Sequence, residues 1–208
     1  MKIRDVLIED FVNYKKPSMF INMGVCDWKC CTELGIDISI CQNSSMAQMP
    51  EIEIEPSKIV DMYLSNPITE AIVIGGLEPF YGSHNVLLLV NEFRKHTSDD
   101  IVIYTGYYPY EIPGDLMYLS KYDNIIIKFG RFVPGDDKHI DEVLGVELAS
   151  KNQYAVKLNR GTQKVIKSMA NRGGYCPCKI IKNDNTRCCC SEFRNEHTGN
   201  CHCGIFSK

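Results

Sequence analysis

The cysteines of this 208-residue chain fall into two groups, and that partition limits the fold more than any other feature. Of the eleven, four lie between Cys26 and Cys41, seven between Cys176 and Cys203, and none in the 134 residues between. Cysteines serving as small core hydrophobes would scatter. In a reducing compartment thiols do not persist as structural disulfides, so clusters of this kind lean toward metal or redox chemistry. The first group, CDWKCCTELGIDISICQN at 26–43, leaves three arrangements open. Four thiolates can close around zinc, three can hold an iron–sulfur cluster with one iron free, and two need only a disulfide. Successive side chains diverge, so Cys30 and Cys31 are not expected to bind one metal together.

Charge divides the chain at a similar place. Residues 1–150 carry 12 Lys and Arg against 23 Asp and Glu, a balance of −11, while 151–208 carry 11 against 3, or +8. A basic tail often meets nucleic acid. Here it surrounds seven cysteines, so it is read instead as offsetting thiolate charge or docking an acidic redox partner, and no nucleic acid is expected. The start, MKIRDVLIEDFVNY, lacks the apolar core of a signal peptide, and runs such as Val86–Val90 are too short to cross a bilayer. The expectation is a soluble, cytoplasmic chain with no membrane association.

Between the cysteine groups the hydrophobic pattern alternates. Ser18–Met23 reads as the first strand, Ser57–Leu64 as a helix capped by Ser57, and Ala71–Ile74 as a buried strand. A helix within Ser83–His96, a strand Ile101–Thr105, a helix around Asp115–Lys121 and a strand Asn124–Lys128 continue the rhythm. Such alternation specifies an α/β domain with parallel strands and crossover helices, whose site lies at the carboxyl ends of the strands. The cysteine loop and the turns Gly75-Gly76 and Thr105-Gly106 each follow a strand, so they are expected to converge on one edge. The sheet pattern stops near Val156, and residues 162–172 read as one short helix ended by Gly173-Gly174. The remainder holds few apolar side chains besides cysteine and needs a staple, for which a metal or cluster is usual. The predicted division is 1–157 and 158–208, the second unit small and mainly helical.

Two family resemblances sharpen these expectations. A CxxxC pair after a strand (Cys26, Cys30), a cysteine preceded by an apolar residue (Ile40-Cys41) and the turn GGLEP at 75–79 resemble radical S-adenosylmethionine enzymes. Cys41-Gln42-Asn43, the glycine-acid-proline turn, Tyr104–Tyr107 (YTGY), Gly130-Arg131-Phe132 and Asn152-Gln153 occur in an order similar to that in the small activating proteins of anaerobic (class III) ribonucleotide reductase. The likeness spans roughly 15–157. It departs where ten residues separate Cys30 from Cys41, a longer gap than the family's, and where Leu77 is inserted before the acid. The resemblance implies a partial (β/α) barrel with a 4Fe-4S cluster on Cys26, Cys30 and Cys41. It also implies S-adenosyl-L-methionine held by Gly75, Gly76, Glu78, Tyr104, Thr105, Ile40 and Asn43, with Tyr107 near the adenosine.

In the tail, CPC at 176–178, CCC at 188–190 and CHC at 201–203 follow VIKSMANRGGY. This pattern over 162–206 resembles the catalytic subunit of ferredoxin:thioredoxin reductase. Carried over, Cys176, Cys188, Cys190 and Cys201 would ligate a second 4Fe-4S cluster. Cys178 and Cys203 would form a redox-active pair, with His202 as proton handler. Cys189 stands where the family has proline, which leaves the middle ligands least secure.

Together these imply an oxidoreductase that cleaves S-adenosylmethionine to place a radical on a glycyl radical enzyme such as anaerobic ribonucleotide reductase. The tail would reduce disulfides for the same partner. A flavodoxin or ferredoxin-type protein would donate electrons, and a thioredoxin-like protein is a further candidate partner. The alternatives are a redox carrier without S-adenosylmethionine cleavage, or a radical enzyme acting on a peptide or small molecule.

Overall fold

Short β-branched runs followed by helical stretches build a parallel sheet. The computed structural model describes Met1–Lys208. Strands β1 (Lys2–Asp10) and β2 (Ser18–Met23) pair antiparallel, and α1 (Lys29–Leu34), β3 (Ile52–Glu53) and α2 (Pro56–Ser65) follow. Next come β4 (Ala71–Gly76), α3 (His84–Phe93), β5 (Asp100–Tyr104), α4 (Pro113–Leu119) and β6 (Ile125–Phe129). A hairpin, β7 (His139–Asp141) and β8 (Val146–Leu148), precedes β9 (Tyr154–Leu158). The chain ends with α5 (Gln163–Asn171), α6 (Ser191–Arg194) and β10 (Phe206–Ser207).

Eight strands form one sheet in the order β10-β9-β6-β5-β4-β2-β1-β3. The central β2, β4, β5 and β6 are parallel, while β1 and β9 flank them antiparallel. The molecule is therefore α/β, and no helix is long and apolar enough to cross a membrane. Side chains alternate along each strand, so each face of the sheet has its own core. Ile21, Ile72, Ile74, Ile101, Ile103, Ile125 and Ile127 pack with Ile59, Leu89, Phe93 and Leu116 of the crossover helices. Same-handed crossovers put these helices together on that face. On the opposite face Phe20, Val73, Val102 and Ile126 meet Val143, Leu144 and Leu148 from the β7–β8 hairpin. Asp141 fastens the hairpin: Oδ1 accepts from the N–H groups of Val143 and Leu144, and Oδ2 from that of Ala155.

The tail joins this architecture instead of standing apart from it. Cys176, Cys188, Cys190, Cys201, Phe193, Ile205 and Phe206 belong to the same buried cluster as the helix-side face of the sheet. β10 adds to the sheet edge by pairing Phe206 with Leu158 and Ser207 with Lys157. Its helical content is α5 and the four-residue α6.

Several local expectations need correction. The first strand is β1, which the sequence pattern missed because its alternation is broken by register shifts between Ile3 and Asp5 and between Leu7 and Asp10. Helix α2 starts at Pro56, with Glu55 at the cap position and no side-chain cap bond, so Ser57 is not its cap. Proline's fixed φ suits the first helical position. The α5 helix does end at Gly173 and Gly174, both left-handed (φ +73° and +86°).

Candidate functional site

A cavity of about 260 Å³ opens at the carboxyl ends of β2, β4, β5 and β6, on the hairpin side of the sheet. Alternation explains its floor: Phe20, Tyr104 and Lys128 point to this face from neighbouring strands, and Gly75 between them has no side chain. A Cβ on Gly75 would stand 3.0 Å from Phe20 Cζ and 3.2 Å from Tyr104 Cβ, so glycine makes the room. Gly76, in a left-handed conformation (φ +81°), passes Asn22 so closely that a Cβ would lie 2.7 Å from Asn22 Oδ1. That oxygen is buried and has no hydrogen-bond partner.

The loop after β2 supplies three thiols. Cys26, Cys30 and Cys41 are half-buried and line the cavity; Cys31 is 2% exposed and does not. Trp28, at φ +58°, opens α1, and its N–H donates to Cys26 Sγ at 3.2 Å. Burial pushes the Cys26 thiol up to about 12 and raises Cys30 as well, against hydrogen bonds from the Trp28 and Phe132 N–H groups respectively. Gly106 lets Cys30 approach, since a Cβ there would lie 2.8 Å from the sulfur. Asn43 Nδ2 donates to the Gly76 carbonyl and ties the cysteine loop to the glycine turn.

Arg131 anchors α1. It forms a two-pronged pair with Glu33 (3.0 Å each), bonds Glu111 at 2.7 Å and the Gly106 carbonyl, and lies between the Tyr107 and Tyr108 rings. Lys29 also pairs with Glu111, so α1 is pinned at both ends of its first turn.

Glu78 is buried under the cavity. Its Oε1 accepts from Thr105 Oγ1 (2.6 Å) and the Phe80 N–H, and Oε2 accepts from the Gly106 N–H at 2.8 Å. Burial raises its pKa above the usual carboxylate range despite these bonds. Oε2 retains a free lone pair, because a carboxylate oxygen accepts two bonds. Lys128, fully enclosed, is lowered to about 8 by desolvation, and its Nζ donates to the Gly130 carbonyl at 3.2 Å.

The three turns thus converge as the alternation predicts. Gly76, Glu78, Tyr104, Thr105 and Asn43 line the cavity with the three cysteines, and Gly75 lies directly beneath it. Ile40 is 49% exposed and lies outside the lining, and Tyr107 turns its hydroxyl onto Asp27 at 2.7 Å. Sequence reasoning missed Lys128, Asn22 and Arg131 as site residues. The signal for Lys128 was present: one charged residue ends the apolar run Ile125–Ile127.

In the tail, Cys176, Cys188, Cys189, Cys190 and Cys201 are buried, Cys203 is half-buried and Cys178 is exposed. Cys201 and Cys203 lie 3.4 Å apart. The contact between them lowers the Cys201 thiol and raises that of Cys203. Cys203 also reaches Cys176, and Cys190 feels the charges of Cys176 and Cys201. Cys178 is not brought to Cys203, and His202 faces Glu192 (3.1 Å) and not the sulfurs. Arg187, one residue before Cys188, lies between the rings of Tyr110 and Tyr175 at 4.9 and 5.0 Å.

No three His, Cys, Asp or Glu groups stand close enough to hold a single metal ion. Three half-buried thiols do share one cavity cleared by three glycines, a donor set of the kind a three-thiolate cluster would use. The chain matches no protein-family model, no curated protein and no solved structure.

Proposed function

We propose that this chain is a radical S-adenosylmethionine enzyme of the activase type, with a cluster-and-dithiol module in its tail. Its eight-stranded mixed sheet carries the proposed reaction cavity on the face opposite the helices. The observation that carries this reading is the meeting of Cys26, Cys30 and Cys41 with Gly76, Glu78 and Thr105 in one cavity at the strand ends. A 4Fe-4S cluster bound there would supply the single electron for reductive cleavage of S-adenosylmethionine, the chemistry by which a glycyl radical would be generated on a partner.

This chain's residues do the rest. Cys26, Cys30 and Cys41 hold the cluster, and Gly75 and Gly76 let the methionine moiety approach the backbone. Glu78, through its remaining lone pair, accepts from an ammonium group. Lys128 offsets thiolate charge from inside the cavity. In the tail, Cys176, Cys188, Cys190 and Cys201 hold the second cluster. Exposed Cys178 is the thiol that meets an external disulfide, with Cys203 resolving it after a local movement. Glycyl radical enzymes such as anaerobic ribonucleotide reductase are the proposed partner class, with a flavodoxin or ferredoxin-type donor.

Anaerobic reconstitution tests this reading. Two cubanes give about eight irons per chain, and dithionite with S-adenosylmethionine yields 5′-deoxyadenosine. Cys26→Ala, Cys30→Ala and Cys41→Ala each abolish that product, whereas Cys31→Ala retains it. Zinc in place of iron, or no adenosyl product from a fully loaded protein, rejects the proposal. Cys178→Ser and Cys203→Ser keep S-adenosylmethionine cleavage and lose disulfide reduction; unchanged disulfide turnover in both removes the tail's assigned role.

A further inference from the structure

Cys31 is the thiol of the first group that the proposed reaction leaves unused. It follows Cys30 on α1, and successive helical positions point about 100° apart. Cys30 therefore lines the cavity while Cys31 turns away from it and is enclosed. The chain then doubles back. Gly35 closes α1 in a left-handed conformation (φ +64°), and the Ile36 N–H donates to the Cys31 carbonyl at 3.1 Å. Ile38–Ile40 make one tight helical turn, capped by Asp37, whose side chain accepts from the Ser39 N–H at 2.8 Å. The Ile38 carbonyl accepts from the Cys41 N–H at 3.0 Å. These turns return Cys41 to α1, where its side chain meets that of Cys31. The long spacer thus ends with two sulfurs side by side.

The other two thiols are engaged elsewhere: Cys26 accepts from the Trp28 N–H and Cys30 from the Phe132 N–H. Within the pair, access is unequal. Cys41 is half-buried and borders an open cavity, whereas Cys31 is shut inside and burial raises its thiol. Thiol–disulfide exchange needs one sulfur that an outside disulfide can reach and a second that displaces the leaving thiol. Cys41 answers the first need and Cys31 the second.

We infer that Cys31 and Cys41 form a reversible disulfide in the metal-free chain, Cys41 being the attacking sulfur and Cys31 the resolving one. The oxidant is a low-molecular-weight disulfide. The Cys41 thiolate attacks one of its sulfurs and expels a first thiol; Cys31 then attacks the mixed disulfide at Cys41 and expels the second. One external S–S bond breaks and one internal S–S bond forms, and the two cysteine protons leave on the released thiols. The cysteine pair loses two electrons and the external disulfide gains them. The consequence rests on the radical-enzyme reading: the bridge withholds the third thiol of the reaction cavity until reduction returns it. Formation of the bridge does not depend on that reading.

Oxidised glutathione applied to the full-length, reduced, metal-free chain is the test. After the remaining thiols are alkylated, digestion at Glu33 separates Cys31 from Cys41, and fragment ions distinguish Cys31 from Cys30. The expected product is a cross-linked pair of peptides two hydrogens lighter than its parts and opened by dithiothreitol. Cys31→Ser removes the resolving sulfur, so Cys41 retains one glutathione and no bridge forms. Cys31 is buried, so the wild-type map decides if that variant does not fold. A bridge from Cys41 to Cys26 or Cys30 overturns the inference, as does a wild-type Cys41 left free or glutathionylated. A mapped bridge in a chain whose iron-loaded, reduced form yields no 5′-deoxyadenosine leaves the bridge standing and removes the radical reading.

Discussion

The two cysteine regions are built in opposite ways. In the first, no thiol belongs to either core of the sheet. Cys26, Cys30 and Cys41 sit half-exposed on a loop that is held by Arg131, Glu33, Glu111 and Asn43. In the second, sulfur is itself the packing material: five of seven cysteines are buried in the core with Phe193, Ile205 and Phe206. A loop fastened by ion pairs can exchange ligands without disturbing the core. A core made of thiols ties its own folding to whatever those thiols bind. The difference separates thiols carried on an open loop from thiols that are themselves the packing.

The predictions probe that contrast, beginning with the largest effect. Gly174→Ala strikes the joint between the regions, because φ is +86° and the new Cβ would overlap Tyr110. A loss of about 3 kcal/mol or more is expected, read from the urea midpoint. A midpoint equal to wild type would mean that the tail is not docked through Tyr110. Cys188→Ser in the iron-free protein should cost about 2 kcal/mol through burial of an unsatisfied hydroxyl. Cys30→Ser should cost less than about 1 kcal/mol, its site being half-open. Equal losses would erase the distinction drawn above.

Arg131→Gln should cost about 1.5–3 kcal/mol by removing charged hydrogen bonds. It should also expose Cys30 to alkylation faster, as α1 loosens. The same ion pairs set an acid limit. Burial opposes ionisation of Glu111, but bonds from Arg131, Lys29 and the Tyr108 N–H outweigh it and hold the carboxyl below its usual 4.5. The stability from this group is therefore complete above pH 4.5 and lost as pH falls through the lowered folded value. In Arg131→Gln the acid-side slope of stability against pH should be shallower. A slope parallel to wild type would place the acid sensitivity elsewhere. The smallest effect is a control: Lys95→Ala, breaking the exposed pair with Glu92, should change stability by less than about 0.5 kcal/mol.

Much of the frame was legible in the sequence because apolar runs such as Ala71–Ile74 and Ile125–Ile127 lie in the middle of the sheet, where burial on both faces leaves a plain signal. The convergence of the cysteine loop, Gly76 and Thr105 followed from strand direction alone. What escaped notice depended on partners distant in sequence. β1 is irregular and buries only Ile3 and Asp10; β10 is two residues long and exists only because β9 offers an edge. Arg131 draws its role from Glu33, 98 residues away, and no local pattern reports such a pair. Cys178 and Cys203 share a motif logic in the chain, yet the exposed one and the enclosed one have different surroundings in space.

The β7–β8 hairpin carries a consequence for motion. Held by three paired positions, by Asp141 and by the packing of Val143, Leu144 and Leu148 on the sheet, it borders the first cavity through Glu147 and Leu148 and a second, polar cavity beside the end of the tail through His139 and Glu142. One short flap therefore roofs both chambers. Neutralising its peg, as in Asp141→Asn, should quicken amide exchange from Val143 to Leu148 ahead of the helices and unlatch the two chambers together.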